Sequence, residues 1–165
     1  MAELIIKKRH AIKKGQLTSL KQKLRENIGD DAELYSSKMI EIAETLSKFN
    51  IYIVDKKPFL IEMDDWAFPT LRGAVARPFS GRRIVVDMGA IPYVINGADI
   101  MRPGIVSVTD DVKAGKPALA VDESHDKPLA VVISLYDAQE IRALEKGKAA
   151  KNLHYMGDEL WNLEL

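Results

Sequence analysis

A chain of 165 residues with no cysteine and a net charge of zero has room for two small domains and for no chemistry that needs a thiol. Disulfides, thiolate metal centres and a cysteine nucleophile are excluded, and a reducing interior is the natural setting. Hydrophobic residues make up 47 % of the chain, enough for a packed core, yet the longest uncharged apolar run, PLAVVISLY at 128–136, falls far short of the roughly 20 residues a membrane helix requires. A short apolar patch followed by Lys7, Lys8 and Arg9 is no secretory leader. A cytoplasmic protein with no membrane contact is therefore expected.

The neutral total hides an asymmetry. Residues 1–25 carry eight Lys or Arg and one acid, and residues 26–65 carry ten acids and four bases. Residues 66–110 hold five Arg, no Lys and three acids, and residues 111–165 hold seven bases and ten acids. A basic end on a neutral chain points to a localised contact surface.

In chain order, ELIIKK reads as a short strand and RHAIKK as its extended continuation. A first helix is expected over about 19–27, with Ser19 and Gln22 at capping-box spacing and Leu17, Leu20, Leu24 and Ile28 on one face. A second is expected over about 32–49, where Tyr35, Met39, Ile42, Leu46 and Phe49 recur at spacings of four and three. IYIVD (51–55) and FLIEM (59–63) read as strands joined by a hairpin loop at Lys56, Lys57 and Pro58. Trp66, Phe68 and Leu71 are core candidates. The glycine, proline and arginine mixture of 72–83 is the expected boundary between domains 1–78 and 79–165.

Residues 84–106 organise the second half. Ile84, Val85 and Val86 suit a buried strand, and Asp87 can cap a helix that tolerates Pro92 only in its first turn. Ile91, Val94, Ile95 and Ala98 share one face, Gly97 suits a left-handed end, and Pro103-Gly104 makes a turn. Strands near 105–108, 118–122 and 129–134, a helix near 135–145, and closing strand-like segments at 153–155 and 160–163 complete a small mixed barrel. The fold class is α+β.

The pattern MGAIPYVINGADIMRPGI (88–105) resembles the opening of a PUA domain, the RNA-binding module named for pseudouridine synthases and archaeosine transglycosylases. The likeness continues through KAGKPALAV (113–121), LAVVIS (129–134) and KGKAAKNLHYMGDELW (146–161). With Pro69-Thr70-Leu71 at the end of a separate N-terminal unit, the chain is similar to free-standing archaeal PUA proteins and to the malignant T-cell amplified sequence family.

That resemblance implies a protein without catalysis or cofactor that binds structured RNA, tRNA or ribosomal RNA, in translation or RNA maturation. It leaves room for a translation factor or the small ribosomal subunit as partner. Two other readings stay open: an adaptor of the translation initiation machinery, and an accessory subunit of an RNA-modification enzyme. The residues themselves offer no nucleophile elbow, no phosphate-cradling Walker sequence and no dinucleotide fingerprint. His10, His125 and His154 are isolated; a solvated loop is expected around His125, with Asp122, Glu123 and Asp126, and a packing role for His154.

The candidate RNA contacts are basic or small. Arg102 lies in the helix-to-strand segment that faces RNA in the PUA family, and Gly97, Ala98 and Gly104 would let backbone approach a sugar-phosphate chain. Arg82, Arg83, Lys113 and Lys116 could extend a positive surface. Lys7, Lys8, Arg9, Lys13 and Lys14 either bind phosphate or guard a strand edge. Arg102→Ala is expected to weaken RNA binding with little loss of stability. Few aromatics accompany these cations, so recognition by shape and backbone is expected rather than base stacking.

Overall fold

A computed structural model describes residues 4–47 and 49–165. They fall into two compact units, one holding the chain up to Phe79 together with Glu159–Leu165, the other Ser80–Asp158. The sequence reading had kept residues 159–165 with the second half. In the structure Arg72 Nη1 donates to the Leu163 carbonyl at 2.7 Å, and Leu160 is buried.

In the first unit, β1 (Ile6–Ala11) leads into α1 (Lys14–Ile28), a 3-10 turn (Gly29–Tyr35), β2 (Ile40–Thr45), β3 (Phe49–Val54), β4 (Lys57–Met63), β5 (Trp66–Pro69) and α2 (Leu71–Ala76). The strands form one antiparallel sheet in chain order, so β1 is an edge. Helix α1 lays Leu20, Leu24 and Ile28 into the core. It begins five residues before the expected start, because Gln16 Oε1 accepts the Lys13 N–H at 2.9 Å and does the capping that Ser19 and Gln22 had suggested.

The expected helix over 32–49 is not formed. The 3-10 turn and strands β2 and β3 replace it. Of its five seam residues, Tyr35, Ile42 and Phe49 are buried, but Met39 and Leu46 are 56 % and 64 % exposed. The winning signal was the alternation of Ile40 and Ile42 with Glu41, which fits a pleated ladder beside β3. The β3–β4 turn is also tighter than expected. Asp55 and Lys56 both take positive φ, 51° and 70°, as a two-residue hairpin of the strand-matched hand requires, and Lys57 and Pro58 already belong to β4.

Gly73 in α2 shows how closely this unit packs. A Cβ there would stand 2.2 Å from the Phe59 carbonyl oxygen. Tyr35 seals the same corner by donating its hydroxyl to the Gly73 and Arg77 carbonyls at 3.1 and 2.7 Å.

The second unit runs β6 (Arg83–Val86), α3 (Ile91–Val94), β7 (Ile100–Met101), β8 (Ile105–Val108), β9 (Pro117–Asp122), β10 (Pro128–Ser134), α4 (Ala138–Ala143) and β11 (Lys148–Tyr155). Its six strands form a nearly closed mixed sheet in the order β7-β11-β10-β9-β6-β8, with only β6 and β9 parallel. Ile84, Val86, Val94, Ile100, Val132 and Ile141 fill the interior. Asp137 caps α4, its N–H held by Glu140 at 3.1 Å. The closing strand starts at Lys148, before the expected 153, and the LWNL segment at 160–163 is a turn rather than a strand.

Gly73→Ala should destabilise the first unit by about 1–3 kcal/mol, the overpacking range, because the obstacle is backbone and cannot rotate away. Thermal melting of the variant checks this; a melt within one degree of wild type would contradict the close approach.

Candidate nucleic-acid interface

Short elements of the second unit enclose a groove of about 380 Å³. One wall is the turn from Asp87 to Ala90, where Asp87 Oδ1 accepts the Ala90 N–H at 2.9 Å. Tyr93 and Val94 of α3 form the second, and the segment from Ala98 to Gly104 the third. Most of the lining is apolar. Tyr93 is 70 % exposed and Met101 50 %.

Asn152 on β11 holds this groove open. Its Nδ2 donates to the Val94 and Ala98 carbonyls, both at 3.0 Å, and its N–H reaches Asp99 Oδ1 at 2.8 Å. Lys148 Nζ meets the other Asp99 oxygen at 2.8 Å. The hydrogen bond from Lys148 and the backbone N–H of Asn152 hold the Asp99 carboxyl below its usual range. Exposed Lys146 and Lys151 follow the same strand and its approach. An apolar groove with an exposed tyrosine, and with the charges of Lys148 and Lys151 acting on its Asp99, has the chemistry to take an unpaired base on the ring and a phosphate beside it. The sequence reading named none of Tyr93, Met101, Lys148 and Lys151. A signal was present, three lysines in the KGKAAK run, but nothing in the sequence related it to Asp99.

The predicted residues divide. Ala98 and Gly104 line the groove. Gly104 carries no Cβ because one would press to 3.2 Å against Ala90 Cβ. Gly97 has φ 93° and leaves room for the Tyr155 ring, 3.0 Å from where a Cβ would be. Lys113 is exposed but shares its concavity with Asp110, Asp137 and Glu140, which offset its charge. Lys116 is partly buried in the same loop.

The arginines are engaged by the fold. Arg82 is 4 % exposed, so it presents no cation to a ligand. Its φ is 46°, its N–H is held by the Asp111 carboxylate at 2.9 Å, and burial lowers the guanidinium pKa. Arg83 is largely buried in β6, with Asp126 at 3.9 Å. Arg102 is not an idle surface arginine: Nε donates to the Ile141 carbonyl at 2.7 Å and Nη1 to the Ile105 carbonyl at 3.1 Å. It puts a cation on a carbonyl near the end of α4, where the helix dipole favours one. In the first unit, Lys7, Lys8 and Arg9 are exposed on β1, but Arg9 is spent on Glu41, Nη2 to Oε2 at 2.9 Å.

Among the histidines, His125 is exposed in its loop, where Asp122 Oδ1 accepts the Ser124 and His125 N–H groups at 2.9 and 2.5 Å. His154 is fully buried with Nδ1 2.8 Å from Asp158 Oδ2. No group of three or more metal-ligating side chains occurs among the described residues, and no helix there is long and apolar enough to cross a membrane.

The nearly closed six-stranded sheet, with one parallel pair and a short helix beside the groove, is the PUA fold. The PUA domain model matches residues 82–156, and a model for a domain of unknown function, DUF1947, matches residues 8–73. An uncharacterised protein of Methanocaldococcus jannaschii is 39 % identical over 96 % of this chain and 98 % of its own length. Translation machinery-associated protein 20 of Eremothecium gossypii is 29 % identical over 95 % of this chain and 93 % of its own. The crystal structure of a hypothetical protein from Pyrococcus horikoshii superposes with a TM-score of 0.85 at 30 % identity, covering 94 % of this chain and 98 % of that one. The chain belongs to the family of two-unit PUA proteins that takes in these archaeal proteins, translation machinery-associated protein 20 and the malignant T-cell-amplified sequence proteins.

Arg102→Ala should lower stability by about 1–3 kcal/mol, since it strands two carbonyls that a charged donor now satisfies; chemical denaturation measures it. Asp99 gives a pH test. Its folded pKa is depressed, so its contribution is present above the unfolded value near 3.9 and is lost as pH falls through that value and below. Melting temperature should drop below about pH 4 by less in Asp99→Asn than in wild type.

Proposed function

We propose that this protein is a non-catalytic RNA-binding protein of translation whose PUA unit receives structured RNA, tRNA or ribosomal RNA, in the groove between Asp87 and Gly104. The observation that supports the reading is one apolar groove that carries an exposed aromatic, Tyr93, and an acid, Asp99, on which the charges of Lys148 and Lys151 act. Phosphates meet Lys146 and Lys151, a base stacks on Tyr93, and the small Ala98 and Gly104 let the strand come close. Lys148 is shared with Asp99 and positions the rim. Family membership supports the reading, as does the name of a relative that is associated with the translation machinery. Such a role places the protein in the cytoplasm.

An adaptor reading has one observation in its favour: Tyr93 and Met101 are exposed in a groove with an apolar lining, which would also suit a protein side chain. Salt separates the two. A phosphate contact makes log affinity fall by roughly 0.7–0.9 per unit of log salt, whereas an apolar protein contact does not.

Tyr93→Ala should weaken binding of unfractionated tRNA by about 1–3 kcal/mol, the usual worth of one stacked base, without changing the salt slope. Lys146→Gln with Lys151→Gln should reduce the slope by about 1.4–1.8. Binding that responds to neither change would move the RNA off this groove. Retention of a translation factor with no tRNA binding at low salt would favour the adaptor.

A further inference from the structure

The first unit carries a separate cationic surface that the groove does not use. Lys7 and Lys8 on β1, Lys13 and Lys14 at the start of α1, and Lys21 further along α1 are all exposed. Nearby cations are already paired with carboxylates: Arg9 with Glu41, His10 with Glu44, Lys23 with Glu62, and Arg25 with Asp30 and Glu33. The five lysines have no such partner within 4.0 Å among the described residues. The acids that could neutralise them from β2, Glu41 and Glu44, are thus committed elsewhere.

The lysines are close in the chain: Lys7 and Lys8 lie on β1, Lys13 and Lys14 open α1, and Lys21 follows two helical turns, about 10 Å, after Lys14. Lysines on an edge strand also discourage strand-to-strand aggregation. That role would account for Lys7 and Lys8 on β1. It does not account for Lys13, Lys14 and Lys21, which lie off the strand. The first turn of α1 holds no acid, and Lys13 and Lys14 stand at the positive end of the helix dipole, where a carboxylate would stabilise and a cation does the opposite. Local charge placement that works against its own helix is expected where a ligand supplies the missing negative charge.

We propose that Lys7, Lys8, Lys13, Lys14 and Lys21 form a second RNA contact, which follows the phosphate chain without reading sequence. The proposal rests on the RNA-binding function proposed for the groove. It divides the labour: the PUA groove takes an RNA end, and the strip on the first unit supplies sequence-independent electrostatic affinity. Lysine suits this role, since a compact point charge on a flexible stem needs no fixed phosphate geometry.

The test uses the full chain, unfractionated tRNA as probe, and affinities from about 50 to 300 mM salt. Replacing Lys7, Lys8, Lys13 and Lys14 by Gln should lower the salt slope by about 0.7–0.9 for each lysine that meets a phosphate, and weaken binding at least about tenfold at 100 mM salt. The same four changed to Arg should keep the wild-type slope. If the fourfold Gln variant does not fold, the Lys7/Lys8 and Lys13/Lys14 pairs carry the test separately. An unchanged slope and affinity in a folded Gln variant overturns the proposal. So does aggregation of that variant with tRNA affinity intact, which would make the lysines edge guards, or loss of phosphatidylserine vesicle binding with tRNA affinity intact. Wild-type protein that binds no tRNA at low salt overturns the groove reading as well, so the two failures are distinguishable.

Discussion

The groove depends on one amide. Asn152 Nδ2 bridges the Val94 and Ala98 carbonyls while its N–H fixes Asp99. α3 is only four residues long, too short to hold its position by its own hydrogen bonds, since helix formation is cooperative over many more. β7 is shorter still, two residues against β11. A side chain from a long central strand therefore sets the geometry of two elements that could not set it themselves. Gly97 completes the arrangement by making room for Tyr155 from the same strand.

Arg102, the arginine that the sequence offered as an RNA contact, is also tied into the fold. Its guanidinium joins the β7–β8 connection to α4 through carbonyl oxygens. A planar fork with several donors suits that task, and lysine would reproduce only part of it. The residues that the fold leaves exposed in this unit include Tyr93 and Met101 of the groove, Lys146 ahead of β11 and Lys151 on it.

The charge distribution follows the same logic. Many cations in the first unit are consumed by carboxylates on neighbouring strands and helices, which is why the run Lys7-Lys8-Arg9 is not one feature but two. Arg9 belongs to the sheet and the lysines remain available. Exposed pairs of this kind add little stability, but they decide which charges a passing polyanion meets.

The sequence by itself determined the α+β class, most of the strands, the α1 face, and the strand–helix–turn order of 84–106. Each of these rests on local periodicity, β-branched runs or capping residues. It also carried the family, through ordered small residues from Gly89 to Gly104. It misjudged 32–49, because Tyr35, Met39, Ile42, Leu46 and Phe49 satisfy a helical spacing while Ile40 and Ile42 satisfy a strand. Only pairing with β3 and β1 resolves that ambiguity. Of the groove's lining, Ala98 and Gly104 were named from the sequence and Tyr93 was not, while Arg82 and Arg102, read as RNA contacts, also donate to backbone carbonyls. Whether a guanidinium meets water, a carboxylate or a carbonyl, and whether a tyrosine faces inward or out, depends on residues tens of positions away. That information exists only after the sheet has closed.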